Sequence, residues 1–369
     1  MITSAVFPGR YIQGREALNE LGTHLANLGN AAILVVDPSI RQWMVPRVIE
    51  AISGEVRVES FDFSGEPVEY EMKRLSEMVA GKSCDIVIGV GGGKAIDTAK
   101  GGVHFGGGSR LVVVPTIVAS DAPCSKNAVV YSAGHKVVGS LHCRSNPDLV
   151  IVDTQVIAAA PSRFLSAGIA DGLATWFEAR SSIAAGRRNF TGYRATRTAE
   201  AIARLCYETL ISQGPLALSH CDNGWASPAL EDVVEAATLM STIGFESGGL
   251  ASAHGFHQGV SEWKETHDLL HGEKVAFGLL ASLFLTNESE SVICETFEFC
   301  KSLRLPLTFA EIGVHDMTDD KLHVAVRRMM RPGECTFNEP IEYDEADYVI
   351  AMRAADQYGR VIHDVGVGC

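Results

Sequence analysis

Gly89-Val90-Gly91-Gly92-Gly93-Lys94-Ala95-Ile96-Asp97-Thr98-Ala99 is the stretch that decides the fold. The apolar run Asp85-Ile86-Val87-Ile88 before it reads as a buried strand, and Ala95–Val103 behind it reads as a helix. A strand, a glycine turn and a helix start make an anion site. Glycine lets the backbone come close, and the N–H groups at a helix N-terminus point at the anion. The spacing is not G-x-G-x-x-G, and no Gly-Lys-Ser/Thr closes it as in a P-loop. It therefore specifies phosphate or pyrophosphate without naming the ligand. The alternative is a tight turn with no ligand. Against it stands the conformational entropy that three adjacent glycines lose on folding.

Outward from this turn, the first 160 residues alternate strand and helix. Ala31–Val36 reads as a strand ending in Asp37, Gln42–Ser53 as a helix, Val56–Phe63 as a strand and Tyr70–Ala80 as a helix. The strand Leu111–Val114 ends at Pro115-Thr116, Val129–Leu141 looks like a hairpin, and Asp148–Asp153 is one more strand. This rhythm predicts a parallel sheet with helices on both faces, whose ligands sit beyond the carboxyl ends of the strands. Asp37, Gly91–Lys94 and Thr116 fall at those ends. An acidic residue after the first strand can accept a ribose 2′-hydroxyl and would repel a 2′-phosphate, which favours NAD over NADP. The plainer reading of Asp37 is a turn former ahead of Pro38.

After Pro161 the period becomes helical, over Arg163–Ala185, Ala195–Ser212, Ala229–Thr242 and Glu273–Leu285. The expected organisation is an α/β domain over 1–160 and an all-α domain over 161–369, with a cleft between them. A chain of 369 residues, 46% apolar, is long enough for two such cores. Its net charge of −14 argues against nucleic acid and anionic membrane as partners. The apolar run Val275–Leu285 is too short to span a bilayer, and the N-terminus lacks the basic and apolar regions of a signal peptide. Nine scattered cysteines without C-x-x-C pairs read as reduced thiols of a cytoplasmic enzyme.

The helical half also holds Asp171, the pair His254 and His257, and the pair His267 and His271. Imidazoles with a carboxylate suit zinc or ferrous iron. Spacings of i, i+3 and i, i+4 put each pair on one helix face, so both metal binding and ordinary core or surface histidines fit the pattern.

Five motifs in order resemble the glycerol dehydrogenases, zinc-dependent members of the iron-containing alcohol dehydrogenase superfamily that share their fold with dehydroquinate synthase. They are Gly89–Lys100, Pro115–Pro123, Gly168–Arg180, Gly244–Leu250 and His271–Ala276. The likeness runs from about residue 5 to 310 and fades over the last 50 residues. It implies NAD-dependent oxidation of glycerol to dihydroxyacetone, or the reverse, in a cytoplasmic homo-oligomer, octamers included. It implies Asp171, His254 and His271 as metal ligands, leaving His257 and His267 as neighbours. Asp121 would face the substrate hydroxyls. Asp37, Gly92, Gly93, Lys94, Asp97, Thr116, Ala119, Ser125, Asn127 and Tyr131 would line the NAD site. Relatives usually carry Ser and Thr where this chain has Ala119 and Ser120, and an apolar residue where it has Asn127. Iron-dependent relatives place a histidine one helical turn after Asp171, where this chain has Thr175; zinc is therefore the expected metal, with iron second. Other small polyols and 2-hydroxycarboxylates are the alternative substrates. A dehydroquinate synthase-like lyase would need several cations near the metal, and the few noted around Asp171, His254 and His271, which are Arg180, Lys264 and Lys274, argue against it. A nucleotide-binding module without catalysis leaves the Asp/His/His set unexplained.

Overall fold

The computed structural model describes residues 2–54, 56–132, 134 and 137–365. Two compact units share the chain. One comprises Phe7–Pro161 with His220–Leu239, and the other Met1–Val6, Ser162–Ser219 and Met240–Cys369. The segment 220–239 thus groups with the sheet and not with its helical neighbours in sequence.

The first unit is built on a six-stranded parallel sheet. Its strands are β1 (Tyr11–Gly14), β2 (Ala31–Val36), β3 (Arg57–Phe61), β4 (Ile86–Gly91), β5 (Arg110–Pro115) and, after the hairpin, β8 (Leu149–Asp153). The order is β1-β8-β5-β4-β2-β3. β2, β4 and β8 are buried along their whole length, as uninterrupted apolar strands covered on both faces must be. The hairpin of β6 (Asn127–Tyr131) and β7 (Val137–His142) pairs antiparallel, as expected; its turn residues 133, 135 and 136 lie outside the described residues.

Strand order fixes where a ligand can bind. From β2 the chain goes to β3 on one side and then to β4 on the other. The order reverses between β2 and β4, and the crevice beyond their carboxyl ends is the binding place in such sheets. Asp37 follows β2, and Gly91 ends β4.

Sequence periodicity does not reveal β1, because four half-buried residues carry too little pattern. It is clamped by the returning segment. The Tyr11 hydroxyl pairs with Thr238 Oγ1 at 2.9 Å, and Gln13 Nε2 donates to the Glu231 carbonyl at 2.9 Å. Arg15 donates to the Ala226 carbonyl at 2.8 Å, and the Thr154 hydroxyl to Glu231 Oε1 at 3.1 Å.

The second unit is helical among its described residues, including Ser162–Ala184, Ser252–Val260 and His271–Leu285. The single helix expected over 229–242 is instead Pro228–Glu235, a π turn at Ala236–Met240, and Ser241–Gly248. No helix among the described residues is long and apolar enough to cross a membrane. Seven cysteines among the described residues are free thiols.

Candidate metal and dinucleotide sites

In the helical unit, three side chains from three helices converge. Asp171 is on Ser162–Ala184, His254 on Ser252–Val260, and His271 opens His271–Leu285. One donor atom from each lies within 4.8 Å of the other two. Asp171 Oδ1 is 3.1 Å from His271 Nε2 and 3.5 Å from His254 Nε2. Asp171 is only 1% exposed. Burial works against its charge, but the imidazoles of His271 and His254 outweigh that and hold its carboxyl well below the usual range.

The backbone that allows this convergence is specific. A Cβ on Gly272 would lie 1.8 Å from the carbonyl oxygen of Ala167, one turn before Asp171. Only glycine lets the start of the His271 helix reach the Asp171 helix. The Glu273 carboxylate then accepts the Leu270 N–H at 2.8 Å and pairs through both oxygens with Arg163, at 2.5 and 2.8 Å. These bonds fix the helix start on which His271 sits.

Glu178, which the sequence reading missed, lies seven residues after Asp171, two turns along the same helix face. Its Oε2 is 2.6 Å from His254 Nδ1. Its Oε1 accepts the N–H groups of Ala251 at 2.9 Å and His254 at 2.8 Å. One buried carboxylate therefore caps the helix that carries His254 and orients its ring. Burial opposes a charge on His254, but Glu178 and Asp171 together raise its pKa well above that of a free histidine. The signal available in sequence was a second carboxylate at i+7 on the helix of Asp171.

His257 Nε2 lies 3.1 Å from His271 Nδ1, a neighbour of the cluster as expected. Burial, and then the charge of His271, push its pKa well down. His267 is exposed, and it does not share a helix face with His271 because the helix begins only at His271. Thr175 turns its hydroxyl to the Asp171 carbonyl at 3.5 Å and to Ser241 Oγ at 3.0 Å. It joins helix packing and adds no donor to the cluster.

In the sheet unit, Gly92 is the N-cap of the helix Gly93–Gly106, and the first intrahelical bond runs from Ile96 N–H to its carbonyl. Gly91 adopts φ +143°, and a Cβ there would lie 2.8 Å from that of Asp37. The turn needs glycine both for its angle and for the approach of β2 to β4. Asp37 Oδ1 accepts the N–H and hydroxyl of Ser39, at 2.9 and 2.6 Å, so its turn-forming role is present. Thr116 is buried, with its N–H on the Gly91 carbonyl at 3.1 Å. Lys94 pairs with Glu66 at 2.5 Å and stands 5.8 Å over the ring of Tyr131. Ala119 and Asp121 are half-buried.

Asp97 and Ser125 are engaged inside the fold, and Asn127 is half-buried. Asp97 Oδ2 accepts the Val129 N–H at 3.0 Å, and its Oδ1 and Ser125 Oγ accept from Lys100 at 3.2 and 3.1 Å. Burial raises the Asp97 pKa against the pull of Lys100. The Asn127 side chain meets His142 Nδ1 at 2.8 Å.

Known proteins place the chain in a family. The model of the iron-containing alcohol dehydrogenase family matches residues 8–154. A glycerol dehydrogenase of Thermotoga maritima is 44% identical over 98% of this chain and 99% of its own. This chain belongs to the iron-containing alcohol dehydrogenase family. Within that family, a glycolaldehyde reductase of Halobacterium salinarum is 41% identical over 97% of this chain and 98% of its own. The crystal structure of a glycerol dehydrogenase from Schizosaccharomyces pombe superposes with a TM-score of 0.95 at 31% identity, covering all of this chain and 94% of that one. As an alcohol dehydrogenase of this family, the chain has the sheet unit and the helix-rich unit that the sequence pattern predicts.

Proposed function

We propose that this chain oxidises glycerol to dihydroxyacetone with NAD, or runs the reverse, and that zinc is the metal held by Asp171, His254 and His271. The support that weighs most is the convergence of one carboxylate and two imidazoles within 4.8 Å, in a chain whose relatives of full-length match include glycerol dehydrogenases. Two nitrogens and one oxygen, with no fourth protein donor in the cluster among the described residues, fit a catalytic zinc better than a closed structural one. When bound, zinc supplies Lewis-acid polarisation of a substrate hydroxyl, and NAD supplies the hydride acceptor.

The protein's own residues do the remaining work. Glu178 holds the His254 ring so that Nε2 faces Asp171. Asp121 accepts a hydrogen bond from a neighbouring hydroxyl of the polyol and fixes its orientation. The amides after Gly92 receive the pyrophosphate. Lys94, Thr116 and Tyr131 border it. Asp37 accepts ribose hydroxyls and disfavours a 2′-phosphate. Ala119 adds no hydroxyl, and Asp97 and Ser125 act from within the fold. The assembly we propose is a cytoplasmic homo-oligomer, which sedimentation of the purified protein tests.

The deciding assay follows NADH formation with glycerol and NAD, with and without a zinc chelator. Turnover that the chelator removes and zinc restores is the expected result. Because the 41% identical relative is named for reducing glycolaldehyde, the reverse assay includes that aldehyde, and 2-hydroxyacids complete the panel. A protein that binds zinc and NAD but turns over no alcohol would overturn the proposal.

A further inference from the structure

Lys100 is fully buried, with no exposed side-chain surface, in the middle of the Gly93–Gly106 helix. An ammonium has three donors and no acceptor, and it is unstable in an apolar interior unless all three are used. Here it donates to the Ala122 carbonyl at 2.8 Å, the Asn127 carbonyl at 2.6 Å, Ser125 Oγ at 3.1 Å and Asp97 Oδ1 at 3.2 Å. The two carbonyls belong to the two ends of one turn, and Ser125 lies between them. Asp97 is one helical turn before Lys100, and its other oxygen holds the Val129 N–H. One face of the helix therefore pins the segment 122–129 at both ends and in the middle. Closing a turn requires no charge, and backbone bonds already close this one, from Cys124 N–H to the Asp121 carbonyl and from Ser125 N–H to that of Ala122. The buried cation adds placement.

We infer that Lys100 is a positioning residue: it locks the Ala122–Val129 segment to the glycine-turn helix and so sets where the adjacent Asp121 stands for substrate. The helix that receives the pyrophosphate at its first turn then also holds, two turns on, the segment that presents the polyol-binding carboxylate. This inference rests on the role proposed for Asp121.

The test uses full-length protein carrying Lys100→Met, Asp121→Ala, both together, and the milder Ser125→Ala, which removes one acceptor. Hydrogen exchange is measured peptide by peptide, and kcat/KM for glycerol is measured on each variant. The expected result is faster exchange confined to residues 121–129 in Lys100→Met, with the Asp171 and His271 helices unchanged. A loss of about 10-fold or more in kcat/KM goes with it. The double variant loses less than the product of the single losses, since both substitutions remove the same interaction. Ser125→Ala shows the same effects more weakly, and decides the matter if Lys100→Met does not fold. Losses that multiply, or a loosened segment with wild-type kcat/KM, would overturn the positioning role. An inactive wild type would instead sink the dehydrogenase reading; unchanged exchange in 121–129 would then sink the tether as well, and faster exchange would uphold it.

Discussion

Glu178 meets His254 twice, at the ring nitrogen at 2.6 Å and at its backbone N–H at 2.8 Å, and also accepts the Ala251 N–H at 2.9 Å at the start of the same helix. Orientation of the imidazole therefore depends on Glu178, while the start of the helix is shared between Glu178 and Glu339, which accepts the Ser252 N–H. Replacing Glu178 by Gln keeps the acceptor for the amides but weakens the bond to Nδ1. Metal affinity should fall about 10- to 100-fold, as it does when carboxylate partners of ligating histidines are removed. Competition with a chromophoric chelator measures this. Unchanged affinity in a folded Glu178→Gln protein would show that the ring is held by packing alone.

His271→Ala removes one of three donors. Bound zinc and activity should vanish together, because two remaining side chains cannot hold a catalytic ion tightly. Elemental analysis beside the glycerol assay checks this, and full activity in a metal-free variant contradicts it. Wild-type protein should also lose thermal stability on chelation, since a ligand bound only to the native state stabilises it.

Gly272→Ala probes the same site through the backbone. Its methyl group would fall on the Ala167 carbonyl, so the two helices must separate. Overpacking of this kind typically costs about 1–3 kcal/mol. Denaturant titration should show a loss in or above that range, and zinc content should drop with it. Wild-type stability would mean that the helix starts adjust freely.

Asp37→Asn keeps a side chain that can accept from Ser39 but removes the negative charge. The ratio of NADP to NAD use should rise, because repulsion of the 2′-phosphate is relieved. Steady-state kinetics with both dinucleotides decides; an unchanged ratio assigns Asp37 to its turn alone.

Glu339 offers a pH test away from the donors. It is 3% exposed, accepts the Ser252 N–H at 3.0 Å, and has its pKa raised by burial, with the Glu178 carboxylate adding to the effect. A carboxyl whose folded pKa exceeds its unfolded value contributes stability that is complete below the unfolded pKa and is lost as pH rises through the folded one. Wild-type stability should therefore decline above the ordinary glutamate range relative to Glu339→Gln. Parallel melting curves across pH measure this, and curves of the same shape would refute it.

The sheet was legible because buried parallel strands are continuous apolar runs. Ala31–Val36 appears with its expected bounds, and the glycine turn lies between β4 and its helix. Asp171, His254 and His271 could be grouped only through the resemblance, since spacing also admitted His257 and His267. What separates them is that Gly272 and Glu273 start a helix at His271, a contact between segments over 100 residues apart. Lys100 and Glu178 went unread for a related reason. A charged residue on a helix looks solvated until the fold supplies its acceptors or donors. The π turn at Ala236–Met240 was read as ordinary helix because one extra residue barely disturbs the period.

The returning segment 220–239 bears on modularity. The chain crosses from one unit to the other after residues 6, 161, 219 and 239, so the sheet unit is not a cassette that one cut can release. A gene fragment ending at 161 would encode every strand of the sheet, yet leave Tyr11, Gln13 and Arg15 without the partners that close over β1. Recombination at the apparent boundary in sequence would divide a compact unit, so an exchange of the whole sheet of this chain must carry residues 220–239 along with it.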